Sequence, residues 1–218
     1  MDDMKQRGLL IAFEGIDGTG KSSQIIMLAA TLEQMGYQVV ITREPTDGRY
    51  GRRIRSLFSN RARFTPAKEL ELFMADRREH VREVIEPALC SGRIVLTDRY
   101  YLSTAAYQGA AGQDPEAIIA ANETFAPVPD LVVLLTLTPA QSIHRIRTLR
   151  GEALNDFEQE ETLIRVAAIF AGIDRDYITR IDAAGSLAEV RDRVEARVRR
   201  LLVEKLAGGL APRKEKKG

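Results

Sequence analysis

The stretch that most constrains the fold of this chain is "GIDGTGKS", residues 15–22, which stands between the apolar run "LLIAF" (9–13) and the amphipathic segment "SQIIMLAATLEQMG" (23–36). Glycines let a loop curl so that successive backbone N–H groups point at one centre, and the N-terminus of a following helix adds partial positive charge there. The pattern G-x-x-x-x-G-K-[ST] between a strand and a helix predicts a P-loop, which holds the phosphates of a nucleotide. A glycine-rich turn without a ligand is the alternative, and the agreement of strand, spacing, Lys-Ser pair and helix disfavours it.

Four residues of the predicted site carry the phosphate chemistry. Lys21 would reach the β- and γ-phosphates, and the hydroxyl of Ser22 would ligate Mg²⁺. Asp98 follows the apolar run "RIVLT", where P-loop enzymes place a carboxylate that helps to hold Mg²⁺, often through water. Arg99 could bind a phosphate with both ends of its guanidinium, although an Asp-Arg pair that only caps a strand is an alternative. The residues predicted to contact ATP in the loop are Gly15, Ile16, Asp17, Gly18, Thr19, Gly20, Lys21, Ser22 and Ser23.

Short apolar runs recur along the chain and predict the fold class. They cover residues 9–13, 38–42, 93–97, 131–137 and, more weakly, 177–181. Uninterrupted apolar strands are typical of a sheet that is covered on both faces, which usually means parallel strands joined by helices. We therefore predict a three-layer α/β fold of the P-loop NTPase type, with a five-stranded parallel sheet flanked by helices. The stripes predicted to pack on this sheet are Ile25, Ile26, Leu28, Ala29, Leu32 and Met35, then Leu187, Val190, Val194, Val198 and Leu201, and Gly36 is predicted to end the first of these helices.

Composition and charge limit the classes of partner. The 218 residues include 32 basic and 31 acidic side chains, so no global field favours nucleic acid or a membrane surface. The single cysteine, Cys90, excludes a disulfide framework, and there is no CxxC pair. No apolar run approaches the ~20 residues that span a bilayer. We expect a cytoplasmic protein with one domain over residues 1–206 and a disordered basic tail over 207–218.

Other P-loop classes lack their signatures here. No guanine-reading N-K-x-D follows the fourth apolar run, and no L-S-G-G-Q motif of an ABC-type ATPase occurs. A short helix follows instead, with Arg145, Arg147 and Arg150, and it runs into an acidic stretch. Such arginines could close over a nucleotide as a lid and exclude water, as a kinase requires. A solvated basic face balanced by the acidic stretch is the alternative.

A second pair of residues suggests how a flat base could be held. Phe73 and Arg77 are four residues apart, so on a helix they would project from one face. An aromatic ring can stack on a base while a guanidinium hydrogen-bonds its edge. A core phenylalanine beside a surface arginine is the alternative.

Four segments of the chain resemble the thymidylate kinase family. They are "FEGIDGTGKS", "TREPTDGRYGRRIR", "LFMADRREH" and "LTDRYYLSTAAYQG", and the last matches D-R-Y-x-x-S-x-x-A-Y-Q-G in every specified position. The resemblance extends over roughly residues 9–206. It implies that the chain phosphorylates dTMP to dTDP with ATP and Mg²⁺, as a step in dTTP synthesis. It also implies the P-loop kinase fold, a lid at about residues 142–161 and a homodimer.

The resemblance also implies a role for individual residues. Glu44 and Pro45 match a turn beneath the acceptor phosphate, where the family often has a cis proline. Phe73 would stack on thymine, and Arg77 would bond its edge. The remaining implied contacts are Ser103 and Gln108 with the base, Tyr107 beneath the sugar, Asp17 near the 3′-hydroxyl, Arg99 between the two phosphates, and Ala183 in the loop next to adenine.

The chain also departs from the family pattern. The variable P-loop positions Gly18 and Thr19 carry no charge, so the transition-state cation is expected from the lid, as Arg147 or Arg150. The lid has Asn155-Asp156 where an Asp-Arg pair is usual, and Thr136 stands where an aspartate usually ends the fourth strand. A kinase for another pyrimidine nucleotide such as dUMP therefore stays open. The alternative outside enzymes is a nucleotide-binding paralogue that acts through a partner.

Overall fold

The computed structural model describes residues 7–57, 65–150 and 159–206 of the chain. Its centre is a parallel sheet of five strands in the order β2-β3-β1-β4-β5. The strands are β1 (Leu10–Glu14), β2 (Val39–Arg43), β3 (Ile94–Asp98), β4 (Leu131–Thr136) and β5 (Ile178–Asp182). The predicted P-loop α/β fold class is confirmed, and each predicted apolar run contains or overlaps a strand.

Helices connect the strands. They are α1 (Lys21–Gln34), α2 (Arg49–Leu57), α3 (Pro66–His80), α4 (Glu86–Cys90), α5 (Tyr101–Ala110), α6 (Pro115–Glu123), α7 (Pro139–Arg150), α8 (Glu160–Gly172) and α9 (Leu187–Leu206), with a π-helical turn at Val81–Ile85 between α3 and α4. No helix in the described part of the chain is long and apolar enough to cross a membrane.

The two faces of the sheet carry separate hydrophobic cores. Leu10 and Ala12 of β1 pack in the core that includes α5, α6 and α8. Ile11 and Phe13 point to the other side and pack with α1 and α9. Because successive side chains of a strand alternate between faces, a sheet covered on both sides needs apolar residues at every position. That requirement explains the uninterrupted apolar runs.

The end of α1 is as predicted, but its apolar stripe is narrower. Gly36 has φ 87°, and the N–H of Tyr37 donates to the carbonyl of Leu32 at 3.0 Å, which is the hydrogen bond of a glycine-ended helix. The predicted packing of Ile26 and Met35 on the sheet is wrong, since Ile26 is 64% exposed and Met35 is also exposed. The predicted packing of Leu187 at the start of α9 is also wrong, because its side chain is exposed. A helix on a flat sheet buries one side only, and these positions lie at the margin of that side.

The predicted lid is only partly within the described residues. Its first part, from residue 142, lies in α7, and its last residues begin α8. Residues 151–158, with Asn155-Asp156, and the tail 207–218 lie outside the described residues, as does the side chain of Arg150. The mobility of the lid and the disorder of the tail stay predictions.

Candidate active site

The P-loop connects β1 to α1 at the carboxyl edge of the sheet. Its backbone turns through positive φ angles at Gly15 (131°), Gly18 (77°) and Gly20 (88°). A Cβ atom on Gly15 would lie 2.3 Å from the carbonyl oxygen of Leu135, so β4 leaves no room for a side chain there. The glycine is therefore needed both for its backbone angle and for the close approach of β4.

Lys21 places its charge inside the loop. Its side chain is buried, and the ammonium group donates to the carbonyls of Gly15 at 3.1 Å and Ile16 at 3.0 Å. Burial, together with the nearby charge of Arg99, lowers the pKa of Lys21 to about 8. Its hydrogen-bond partners are neutral carbonyls, so the buried cation favours an anionic ligand, although the carboxylates of Asp17, Asp98 and Glu14 offset part of its charge.

Ser22 and Asp98 come together as the sequence predicted. The hydroxyl of Ser22 donates to the carboxylate of Asp98 at 2.5 Å, and β3 lies next to β1, with Asp98 opposite Phe13. A hydroxyl and a carboxylate are the hard oxygen ligands that Mg²⁺ prefers, so these residues fit that ion. No group of three or more His, Cys, Asp or Glu side chains suited to a metal occurs among the described residues. An ion here would therefore take its other ligands from phosphates and water.

Arg99 lies at the point where the P-loop meets α5. Its backbone has φ 72°, an uncommon angle for a residue other than glycine, and it directs the side chain toward the P-loop. The guanidinium donates to Asp17 at 2.7 Å and to the hydroxyl of Ser103 at 2.9 Å. It also lies 5.1 Å from the ring centre of Tyr107. Burial works against the charge of Arg99, but Asp17, Tyr107, Asp98 and Glu14 together outweigh it and hold the pKa of Arg99 well above its usual value.

The turn after β2 contains a buried ion pair. The Glu44–Pro45 peptide bond is cis, as the family resemblance implied. Glu44 is buried and accepts from Arg77 and, at 2.9 Å, from Nδ1 of His80. Burial alone would raise the pKa of Glu44, but the charge of Arg77 and the hydrogen bond from His80 keep it below its usual value. His80, which no sequence motif singles out, lies between Glu44 and Thr42, whose hydroxyl lies 2.6 Å from Nε2.

The predicted base-reading residues lie deeper in the fold. Arg77 is fully buried and donates to Asn122 at 2.6 Å and to Thr104 at 3.0 Å, besides its ion pair with Glu44. Phe73 is half-buried and packs beside the small apolar cluster of α2 and α3. Two buried donors near these helices, Nε of Arg77 and Nε2 of Gln108, have no partner in the described part of the chain. Unpaired buried donors are costly, and a bound polar ligand is one way to satisfy them.

A cavity of about 400 Å³ joins most of the predicted phosphate residues. The predicted residues that line it are Asp17, Gly18, Gly20, Lys21, Ser22, Ser23, Glu44, Pro45, Asp98, Arg99 and Arg145. The predicted residues that do not line it are Gly15, Ile16, Thr19, Phe73, Arg77, Ser103, Tyr107, Gln108, Arg147 and Ala183. The structure thus places the P-loop, the turn after β2 and the Asp98-Arg99 pair around one cavity. The residues predicted to hold the base do not line this cavity.

Sequence reasoning missed Arg55 as a residue of this cavity. Its guanidinium donates to the carbonyl of Pro45 at 3.0 Å and to the carboxylate of Asp47 at 3.0 Å, so it is held beside the cis turn. Arg55 belongs to a run of arginines in α2, and the run itself gives no sign of which one faces inward. The nearness of the "REP" turn in sequence is the signal that could have found it.

The helix α7 contacts both the P-loop and the loop after β5. The hydroxyl of Ser142 donates to the carbonyl of Asp17, and Arg145 donates to the carbonyl of Ala183 at 2.8 Å. A Cβ atom on Gly18 would lie 2.8 Å from the carbonyl oxygen of Ser142. Arg147 is exposed on the same helix. Because α7 packs this closely on Gly18, a large cationic side chain at that position would displace the helix.

The family comparison agrees with this geometry. A family model described as "Thymidylate kinase" matches residues 13–194, which include the P-loop, the turn after β2, the Asp98-Arg99 pair and α7. The chain belongs to the thymidylate kinase family.

Relatives in the thymidylate kinase family cover almost the same length. A protein named thymidylate kinase from Desulfotalea psychrophila is 50% identical over 195 residues, which cover 89% of this chain and 96% of the relative. One from Akkermansia muciniphila is 48% identical over 190 residues, covering 87% and 91%. One from Xanthomonas campestris pv. campestris is 45% identical over 202 residues, covering 93% and 88%.

Thr136, which departs from the usual thymidylate kinase pattern, faces the edge strand. Its hydroxyl donates to the carbonyl of Ile181 in β5 at 3.3 Å, and its backbone carbonyl accepts from Ala183 at 2.9 Å. The residue therefore supports the loop that follows β5.

Proposed function

We propose that this protein transfers the γ-phosphoryl group of ATP to the 5′-phosphate of dTMP, which yields dTDP and ADP on the route to dTTP. The observation that carries this proposal is the cavity of about 400 Å³, in which Lys21 and the Ser22–Asp98 pair face Arg99 and the turn at Glu44. On one side of the cavity, the P-loop suits the donor phosphates. On the other side, Arg99 beside the turn at Glu44 suits an acceptor phosphate in line with them.

The reaction needs little covalent help from the protein. An oxygen of the dTMP phosphate is already a competent nucleophile, so it attacks the γ-phosphorus while the bond from that phosphorus to the β-bridging oxygen breaks and ADP leaves. No general base and no covalent enzyme intermediate are required. The protein acts by holding the two phosphates in line and by stabilising negative charge.

The donor side rests on the P-loop. Lys21 would move from the carbonyls of Gly15 and Ile16, 3.1 and 3.0 Å away, to the β- and γ-phosphates. Ser22 and Asp98 would hold Mg²⁺, the latter through water. When bound, the ion neutralises charge on the β- and γ-phosphate oxygens. Ala183 would lie next to adenine, and Arg145 holds that loop at 2.8 Å.

The acceptor side rests on three groups of residues. Arg99 would bridge the two phosphates, and Arg55 adds a second cation above the turn at Pro45. Asp17 and Tyr107 would hold the sugar, with the ring of Tyr107 where a 2′-hydroxyl would clash. The residues proposed to hold thymine are Phe73, Arg77, Ser103 and Gln108. The unpaired buried donors of Arg77 and Gln108 support a polar ligand on this side.

The lid would supply the remaining positive charge. Gly18 has no room for an arginine beneath α7, which supports the lid as its source, through Arg147 or Arg150. The lid at about residues 142–161 would belong to a single domain over residues 1–206, followed by the tail 207–218. We further propose that the protein is a cytoplasmic homodimer that binds no nucleic acid.

An acceptor panel tests the proposed reaction. ADP release from ATP and Mg²⁺ is measured with dTMP, dUMP, UMP, CMP and dCMP at matched concentrations. Strong preference for dTMP is expected, with dUMP next, since loss of the thymine methyl contact is worth only about 1–3 kcal/mol. Preference for another acceptor would overturn the dTMP assignment while keeping a kinase. Binding of ATP and dTMP without ADP release would favour a nucleotide-binding paralogue.

A further inference from the structure

Glu14, at the end of β1, is a buried carboxylate that the phosphate chemistry does not use. Its side chain is fully buried behind the P-loop. One carboxylate oxygen accepts from the backbone N–H of Tyr100 at 2.9 Å and of Ser103 at 3.1 Å. The other oxygen accepts from the hydroxyl of Ser103. Tyr100, the N-cap residue of α5, makes no side-chain cap, so a carboxylate from a neighbouring strand takes that role.

The hydroxyl of Ser103 links Glu14 to Arg99. A serine hydroxyl has one proton to donate and two lone pairs to accept with. The proton goes to Glu14, and Nη1 of Arg99 donates to the same oxygen at 2.9 Å. A guanidinium has donors only, so this contact requires that the proton of Ser103 points away from Arg99. Glu14 fixes that direction.

We propose that Glu14 is a positioning residue for Arg99: by accepting the proton of Ser103, its carboxylate keeps the Ser103 oxygen as an acceptor that holds the guanidinium at the phosphate cavity. The inference rests on the proposed role of Arg99 as the arginine that binds the acceptor phosphate. It assigns the buried carboxylate a task beyond capping α5.

The substitution Glu14→Gln separates this role from simple capping. A glutamine has nearly the same shape, and its amide oxygen can still accept from the two backbone N–H groups. Its amide nitrogen, however, is a donor and would face the Ser103 oxygen. The Ser103 proton would then lose the acceptor that holds it away from Arg99, and the Ser103 oxygen would have to accept from the new amide as well as from Arg99. The cap survives in this variant, but the carboxylate that fixes the Ser103 proton away from Arg99 is lost.

Calorimetric binding of dTMP and of thymidine to the full chain at pH 8 measures the effect. Burial raises the pKa of Glu14 to about 7, so its carboxylate is charged at that pH. Thymidine lacks the phosphate, so it reports on the base and sugar sites alone. We expect Glu14→Gln to weaken dTMP binding by about tenfold, the effect of one charge-assisted hydrogen bond, with less than about a twofold change for thymidine. Equal weakening of both ligands, or no weakening, would overturn the inference.

Two further variants make the test specific. In a Ser103→Ala background the link is already cut, so Glu14→Gln should cause no further loss of dTMP affinity relative to thymidine. If Glu14→Gln weakens dTMP binding relative to thymidine as much in the Ser103→Ala background as in the wild type, the link through Ser103 is contradicted. Should Glu14→Gln not fold, Ser103→Ala alone must weaken dTMP more than thymidine. A matched control is Asp130→Asn: Asp130 accepts the N–H of Leu10 at 2.9 Å, at the opposite end of the same strand, and should leave both affinities unchanged.

Arg99→Ala distinguishes failure of this inference from failure of the proposed function. If Arg99 binds the acceptor phosphate, its removal weakens dTMP more than thymidine. If Arg99→Ala weakens dTMP more than thymidine but Glu14→Gln does not, the positioning role of Glu14 is wrong and the proposed function stands. If Arg99→Ala affects both ligands equally, the proposed role of Arg99 is wrong.

Discussion

The guanidinium of Arg99 and the carboxylate of Asp17 form an ion pair of 2.7 Å that joins the end of β3 to the P-loop. The same carboxylate accepts from the hydroxyl of Tyr107 at 3.3 Å. Arg99 belongs to the proposed phosphate site, and Asp17 and Tyr107 belong to the proposed sugar site. In the proposed complex, the acceptor's phosphate and sugar would therefore contact side chains that already hold one another in place.

Tyr107 is predicted to exclude ribonucleotides by its ring. Tyr107→Phe removes the hydrogen bonds to Asp17 and Arg99 but keeps the ring, whereas Tyr107→Ala removes both. We expect Tyr107→Ala to lower the kcat/KM ratio of dTMP to ribothymidine 5′-monophosphate by about tenfold or more, and Tyr107→Phe to change it much less. Steady-state kinetics with the two acceptors measures this. Equal effects of the two variants would mean that the ring is not the steric barrier.

The sequence predicted the sheet and the donor side of the site because both depend on local patterns. The spacing of Gly15, Lys21 and Ser22 permits few backbone paths, and apolar runs reveal strands that are buried on both faces. The position of Asp98 followed from the rule that ligands gather at the carboxyl ends of parallel strands. Each of these features can be predicted without knowledge of contacts between segments that are distant in sequence.

The rest depends on contacts between distant segments. Arg77 was expected to face a base, but whether its donors are free depends on Glu44, Thr104 and Asn122, which lie on other elements. Arg55 sits in a run of arginines, and its direction is fixed by hydrogen bonds to Pro45 and Asp47, which lie outside its helix. The exposed Ile26 fits the apolar pattern of α1, but the width of the buried stripe is set by the sheet. No local pattern carries that information.

Arg77 is predicted to stabilise the fold as well as to bind a base. Arg77→Ala leaves the buried Glu44 without its guanidinium partner and with the hydrogen bond from His80, and loss of one member of a buried pair costs about 3–5 kcal/mol of unfolding free energy. Urea denaturation measures the loss. The neighbouring Arg78→Ala is the matched control, with a loss of at most about 1 kcal/mol, because Arg78 is exposed and lies over the ring of Phe125 in a cation–π interaction.

A second variant sharpens this prediction. Adding Glu44→Gln to Arg77→Ala removes the unpaired buried charge and should restore part of the lost stability. A double variant less stable than Arg77→Ala alone, or similar losses for Arg77→Ala and Arg78→Ala, would contradict the assigned ion pair.

Glu14 is predicted to make stability fall as the pH rises. Burial raises its pKa from the usual 4.5 to about 7 in the folded protein. Below pH 4.5 the group is protonated in both states; above that value the unfolded chain loses its proton first, so the folded state is progressively disfavoured until the pH passes about 7. The total difference is about 3 kcal/mol.

Denaturation of wild type and Glu14→Gln across this pH range isolates the effect, since glutamine does not titrate. The free energy of unfolding of the wild type should decline relative to that of the variant between pH 4.5 and 7 and then level off. A constant difference across that range would show that Glu14 titrates equally in both states.

Arg145 is predicted to act on ATP binding through the loop after β5. It donates to the carbonyls of Ala183 at 2.8 Å, Ala184 at 3.3 Å and Gly185 at 3.4 Å. Without these bonds the loop is less fixed, so Arg145→Ala should raise the KM for ATP by about tenfold with little change in kcat. Arg147→Ala, an exposed position on the same helix, should leave the KM for ATP within about twofold. A fall in kcat at unchanged KM for Arg145→Ala would assign it to the transition state instead.

The most direct test of the proposed transfer from ATP to dTMP follows the phosphoryl group itself. ATP labelled at the γ-phosphate is incubated with dTMP and Mg²⁺, and the products are separated by chromatography for wild type and Lys21→Ala. We expect the label to appear in dTDP in proportion to ADP, and we expect Lys21→Ala, folded as judged by circular dichroism, to transfer it about a hundredfold or more slowly. Label released only as inorganic phosphate, or transfer to dTDP at a near-normal rate by Lys21→Ala, would contradict the proposed transfer.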